Sequence, residues 1–144
     1  MMITEETMQK NYAIFLKKME ELGIDSEKIT EVFGDSLIKA TFAMDAKSGL
    51  AYEGSLLNVV LRTLTPYALK LNDILPENLK IPKEKIVKIC LLQHLAKTEM
   101  FVKCENDWEI RNGRFYKFNP KNIALRLGAR SLALALRLGV TFTD

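Results

Sequence analysis

Apolar residues recur at three- and four-residue steps along most of this chain, and the best-capped run, Glu84–Phe101 (EKIVKICLLQHLAKTEMF), predicts a helix. Ile86, Ile89, Cys90, Leu92, Gln93, Ala96 and Met100 give it a broad core face, and Pro82 suits its first turn, where a missing N–H costs nothing. Lys83, Lys85 and Lys88 crowd its N-terminal end, where cations are mildly unfavourable, so packing rather than charge must hold it. The only histidine, His94, lies in it beside Leu91 and Leu95.

Upstream, Thr4 caps a predicted helix with Glu5 and Glu6 in its first turn. Its stripe of Met8, Tyr12, Phe15, Leu16, Met19 and Leu22 ends at Gly23. A shorter helix starts at Asp25 or Ser26, turns Ile29, Val32 and Phe33 to one side and closes at Gly34; a third short turn runs through Leu37, Ile38 and Phe42. MDAKSGLAYEG, Met44–Gly54, breaks the pattern and reads as a loop. Ser55–Leu71 resumes helical period with Leu56, Leu57, Val60, Leu64, Tyr67, Ala68 and Leu71 inward, and Pro66 predicts a kink one turn earlier.

After Phe101 the period shortens. WEIRNGRFYKF places apolar-aromatic runs on both sides of Asn112-Gly113, which predicts a β-hairpin that must lean on the helices or on a partner. Asn119–Leu138 then predicts a last helix, opened by Asn119-Pro120. Ile123, Leu125, Leu127, Leu132, Leu134, Leu136 and Leu138 surround nearly its whole circumference, as in a helix buried on several sides. Arg126, Arg130 and Arg137 share one narrow stripe, either a solvated face or an anchor for phosphate or carboxylate groups.

At 144 residues, 48% apolar and 27% charged, the chain has the size and composition of one soluble globular domain. No run is long and apolar enough to predict a membrane span, and the polar MMITEETMQK is unlike a secretory signal, so the expected place is the cytoplasm. Cys90 and Cys104 form no CxxC and predict free thiols. A net charge of +3 falls short of the dense basic patch of a dedicated nucleic-acid binder. There is no GxGxxG, P-loop, GxSxG or HExxH, hence no motif for a nucleotide fold, serine nucleophile or zincin.

AYEGSLLNVVLRTL, KICLLQHLAKTEMF and ALRLGARSLALAL, in that order, together resemble the small HD-domain phosphohydrolases of bacteria and tailed phages, crAss-like phage members in particular. The likeness runs from Met44 to the end. It implies a mainly α, HD-like helical bundle with one small β-hairpin: a single domain, 1–144, with N-terminal helices in 1–43 and an HD-like core in 44–144, shortened at its C-terminus. Gly54, Leu56, Leu57, Leu91, Leu92, Lys97, Gly128, Arg130 and Ser131 match the scaffold pattern.

Histidines and an aspartate hold the family's divalent metals, which activate water for attack on a phosphoester. The resemblance puts Val59 at one histidine position, Gln93 and His94 on the HD pair, Gly49 near a loop histidine and Ala129 at an acidic position. His94 is one residue out of register, about a hundred degrees round a helix. The implied protein is a catalytically silent domain without metal or cofactor, bound to other protein subunits, as a homo-oligomer or in a phage virion or assembly. The expected interface is Trp108, Phe115, Tyr116, Phe118, Leu132 and Leu136. Two alternatives stand beside it: a phosphohydrolase rearranged around His94, Asp45, Glu53 and Asp73, and a module binding nucleotide or nucleic acid through Arg62, Lys97, Arg126, Arg130 and Arg137.

Overall fold

A computed structural model describes residues 2–122 and 126–142. Helix α1, Glu5–Glu21, starts where the Thr4 hydroxyl accepts the Thr7 N–H and ends in a left-handed Gly23. Asp25 caps α2, Ser26–Phe33, by accepting the Glu27 N–H, and a short α3, Ser36–Lys39, follows. The loop from Met44 holds a 3₁₀ turn, Ala46–Ser48, before α4, Ser55–Val59.

One long helical path joins α4 to α5, Thr65–Asp73, through a π-helical turn, Val60–Leu64. The disturbance foreseen at Pro66 is therefore this turn, in which the Thr65 N–H and hydroxyl both reach the Val60 carbonyl. The extra residue rotates everything downstream by about a hundred degrees. Thr65 and Asn72 are buried as a result, whereas Tyr67 and Leu71, expected inward, are 64% and 52% exposed.

Asn72 closes the following connection, donating to the Ile81 carbonyl and accepting its N–H, both at 2.9 Å. The predicted helix over 84–101 is interrupted. α6 spans Lys83–Leu92 and α7 Lys97–Met100, with tight turns between them. The Ala96 N–H, instead of continuing the helical ladder, donates to the Ser131 hydroxyl at 3.0 Å. Along α6, Leu91 is buried, but Ile89 and Gln93, assigned to the core face from sequence, are exposed.

The sheet pairs β1, Phe101–Lys103, antiparallel with β2, Tyr116–Phe118, with Phe101 opposite Phe118. Asn112-Gly113 is not the hairpin turn. It terminates α8, Asp107–Arg111, which lies within the connection between the strands. A type I′ turn needs positive φ at both central residues; Asn112 has φ −88° and only Gly113 is left-handed, at 77°.

The last helix, α9, covers Leu127–Arg137, shorter than predicted; Asn119–Asn122 is a separate turn, and Ile123 and Leu125 lie outside the described residues. It is not buried all round either. Ser131, Leu134, Ala135 and Leu138 face the core, while Leu132 and Leu136 are exposed. Phe15, Met19, Ile29, Phe33 and Leu37 share a single core with Leu56, Leu57, Val60, Leu91, Leu95, Leu134 and Leu138, so the first helices and the later segments bury one another. The protein is thus mainly helical with a small two-stranded antiparallel sheet.

Candidate functional site

The positions that the HD resemblance marks are chemically poor. Val59 is a buried aliphatic side chain in α4. Gln93 is exposed at the end of α6, Gly49 closes a 3₁₀ turn with φ 69°, and Ala129 is exposed in the first turn of α9.

His94 sits in the turns after α6, half-buried, with its ring edge-on to Phe42 at 5.0 Å. Its Nδ1 is buried without a hydrogen-bond partner, and with Phe15, Leu37, Leu56, Leu57, Val60, Leu91 and Leu95 it borders a small apolar void. Burial, and then the ammonium of Lys97, holds its pKa below the ordinary histidine value. A neutral, unpartnered imidazole with a cation beside it is the reverse of a carboxylate-oriented metal ligand.

Lys97 caps the same corner. Its ammonium donates to the Phe42 carbonyl at 2.7 Å and stands 3.6 Å from the centre of the Phe42 ring, and burial lowers its pKa.

The carboxylates of the rearranged-site alternative are engaged elsewhere and do not gather around His94. Asp45 caps its own turn at the Lys47 N–H, Glu53 pairs with Lys39 and Lys103, and Asp73 pairs with Lys83. Among the described residues no three His, Cys, Asp or Glu side chains come together as a metal site. Cys90 and Cys104 are free and buried, and burial pushes both thiols up.

The expected anion contacts are scattered. Arg62 is exposed and its guanidinium reaches the side chain of Asn11, a fully buried residue that in turn donates to Asn58. Arg130 is committed internally, forming an ion pair with Glu99 and donating to Asn122. Arg126 and Arg137 are exposed. Lys97, tied to Phe42, joins none of them.

Five of the six expected interface residues are exposed; Tyr116 is buried at 7% exposure and belongs to the fold. Trp108 projects from α8 at 70% exposure. Leu132 forms part of a groove of about 610 Å³ between α6 and α9, together with Ile89, Leu92, Ala135 and Phe142, with Lys85 and Lys88 at its edge. Sequence reasoning missed this groove, because Ile89 was assigned inward, and it missed an apolar corner of Tyr67, Leu71, Ile74, Leu79 and Ile81, all exposed. The phase shift at Pro66 was the available signal for that corner. No helix among the described residues is long and apolar enough to cross a membrane. No family model, curated protein or solved structure matches this chain.

Proposed function

We propose that this protein is a catalytically silent HD-like domain that acts as a structural, self-associating component, of the virion or assembly kind implied by its phage resemblance. The observation that carries this reading is the α6–α9 groove. Ile89 and Phe142, 56% and 55% exposed, flank it, and α9 also presents Leu132 and Leu136 as an outward ridge. A groove beside a ridge on one helix is self-complementary: two copies related by a twofold axis can each seat the ridge of the other. Exposed apolar surface of this kind marks a partner site more often than a solvated face.

The test is the mass of the protein in solution, by light scattering or sedimentation over a range of concentrations. Assembly is expected, and Leu132→Asp, which buries a charge at the contact, should weaken it by about tenfold or more while circular dichroism remains helical. A wild type that is monomeric at every concentration overturns the reading. So does about one transition metal per chain, lost in His94→Ala together with phosphodiester hydrolysis.

A further inference from the structure

The charge of this chain is unevenly distributed. Of 21 cations and 18 acids, seven cations and only one acid, Asp144, follow Glu109. The preceding part is therefore net acidic and the last quarter strongly basic, a contrast concealed by the net charge of +3.

Two of those seven cations are used internally: Arg130 on Glu99, and Arg114 near Glu109 at 3.6 Å. Lys117, Lys121, Arg126 and Arg137 are exposed, and among the described residues none is paired with a carboxylate.

The fold brings Lys117, Lys121 and Arg126 toward one another. Asn119 and Asn122 both donate to the Glu99 carbonyl, at 3.0 and 2.8 Å, and Arg130 reaches from α9 to the Asn122 side chain at 2.9 Å. The turn carrying Lys121 is thereby pinned to the first turns of α9, whose N-cap residue is Arg126. Arg130 also neutralises Glu99, the carboxylate at this junction. β2 leads into the turn with Lys117, which shares one side of the strand with Phe115, 41% exposed, whereas Phe118 points to the other side, against Phe101.

On α9 the cations stand apart from the groove. Arg137 follows Gly128, a groove residue, by nine positions, which is about half a turn around the helix. None of Lys117, Lys121, Arg126 and Arg137 lines the groove, so the basic surface is a second face beside the docking surface proposed above.

We propose that this face, from β2 across the Asn119–Asn122 turn to α9, binds single-stranded nucleic acid. Exposed cations without internal partners suit the phosphates, and the exposed Phe115 ring beside Lys117 offers a stacking face that unpaired bases can use and a duplex cannot.

The experiment is fluorescence anisotropy of a labelled oligodeoxythymidine, titrated with the intact chain at several salt concentrations. Binding should weaken with salt at about 0.7 log units of affinity per log unit of salt for each phosphate contacted. Combining Lys117→Ala, Lys121→Ala and Arg126→Ala should lower that slope by roughly 2 and weaken binding about tenfold or more at low salt. Phe115→Leu should cost affinity several-fold while the slope stays unchanged, because stacking releases no counterions. Phe118→Leu, on the other side of the strand and packed on Phe101 with ring centroids 5.6 Å apart, should leave binding unchanged, and melting curves accompany each variant.

Removing three cations from α1, as Lys10→Ala, Lys17→Ala and Lys18→Ala, should leave binding intact. No binding at low salt, equal loss in the α1 variant, or equal affinity for a duplex or for polyglutamate overturns the proposal. Leu132→Asp, which breaks the proposed docking contact, should keep the salt slope per chain, so this proposal and the docking reading fail separately.

Discussion

At the scale of single residues, His94 is an imidazole held away from polar partners. Its Nδ1 faces apolar side chains without a partner and the Lys97 ammonium adds repulsion, so its folded pKa lies below the value of about 6.5 that it regains on unfolding. The unfolded chain therefore binds more protons, and the stability linked to His94 is complete above pH 6.5 and declines as the pH falls toward the folded pKa. Urea unfolding measured from pH 7.5 down to 5 should show this decline, and His94→Gln should flatten it. At pH 7.5 the same variant should cost only about 1 kcal/mol, the worth of the lost ring pair with Phe42, because no hydrogen bond at Nδ1 is broken. An unchanged pH slope in His94→Gln would show that the imidazole is not the group responsible. Gly54 is a residue whose role is conformational: at φ 78° any side chain is strained, and an added Cβ would stand 2.5 Å from Cγ of Met8. Gly54→Ala should destabilise the fold by about 1–2 kcal/mol in the same urea assay, since the backbone strain remains even after Met8 moves aside. A neutral effect would mean that the turn before α4 can be rebuilt.

At the scale of elements, the junction of α6 and α7 is held by α9. Ser131, 4% exposed, accepts the Ala96 N–H, and Ser131→Ala leaves that buried donor without its acceptor. The expected loss is about 1–3 kcal/mol. Hydrogen exchange should locate it, with protection falling first at Ala96. A change confined to distant amides would mean that the bond does not hold the junction. This contact also shows what could be read in advance. Thr4, Gly23, Asp25 and Gly34 were legible because helix caps depend on a few neighbouring residues. The break at 93–96 was not, because its cause lies in another helix 35 positions along the chain. Asn112-Gly113 failed differently: a left-handed glycine serves a helix C-terminus as well as a hairpin. The deciding signal was upstream, in Asn106 followed by Asp107 and Glu109, a cap and acidic first turn; the Asn106 side chain accepts the Trp108 N–H at 2.8 Å. Pro66 was read correctly as a disturbance, but periodicity alone did not show that an added residue would turn Tyr67 and Leu71 outward. In the candidate site, the aliphatic nature of Val59 and the amide of Gln93 were visible in residue type, whereas the burial of His94 beside Lys97 was not. The groove and the engagement of Arg130 were not, since both depend on which helices meet.

At the scale of the molecule, the exposed apolar residues fall on separate elements, so the proposed self-association has more than one surface to choose from. The α6–α9 groove offers a concave surface with a ridge beside it, whereas α8 offers Trp108 and Ile110 without a groove. An anchor contributes most when it fills a pocket, and the groove bordered by Leu132 is such a pocket. Because Trp108 is the only tryptophan, its fluorescence reports directly on which surface is covered. Assembly through the groove should leave its emission, and its quenching by acrylamide, equal to those of the Leu132→Asp variant at the same protein concentration. Trp108→Ala should likewise leave the assembled mass unchanged. A blue shift with protection from quencher as the wild type assembles, together with loss of assembly in Trp108→Ala, would move the contact to α8 and leave Leu132 and Leu136 as solvated residues of a surface helix.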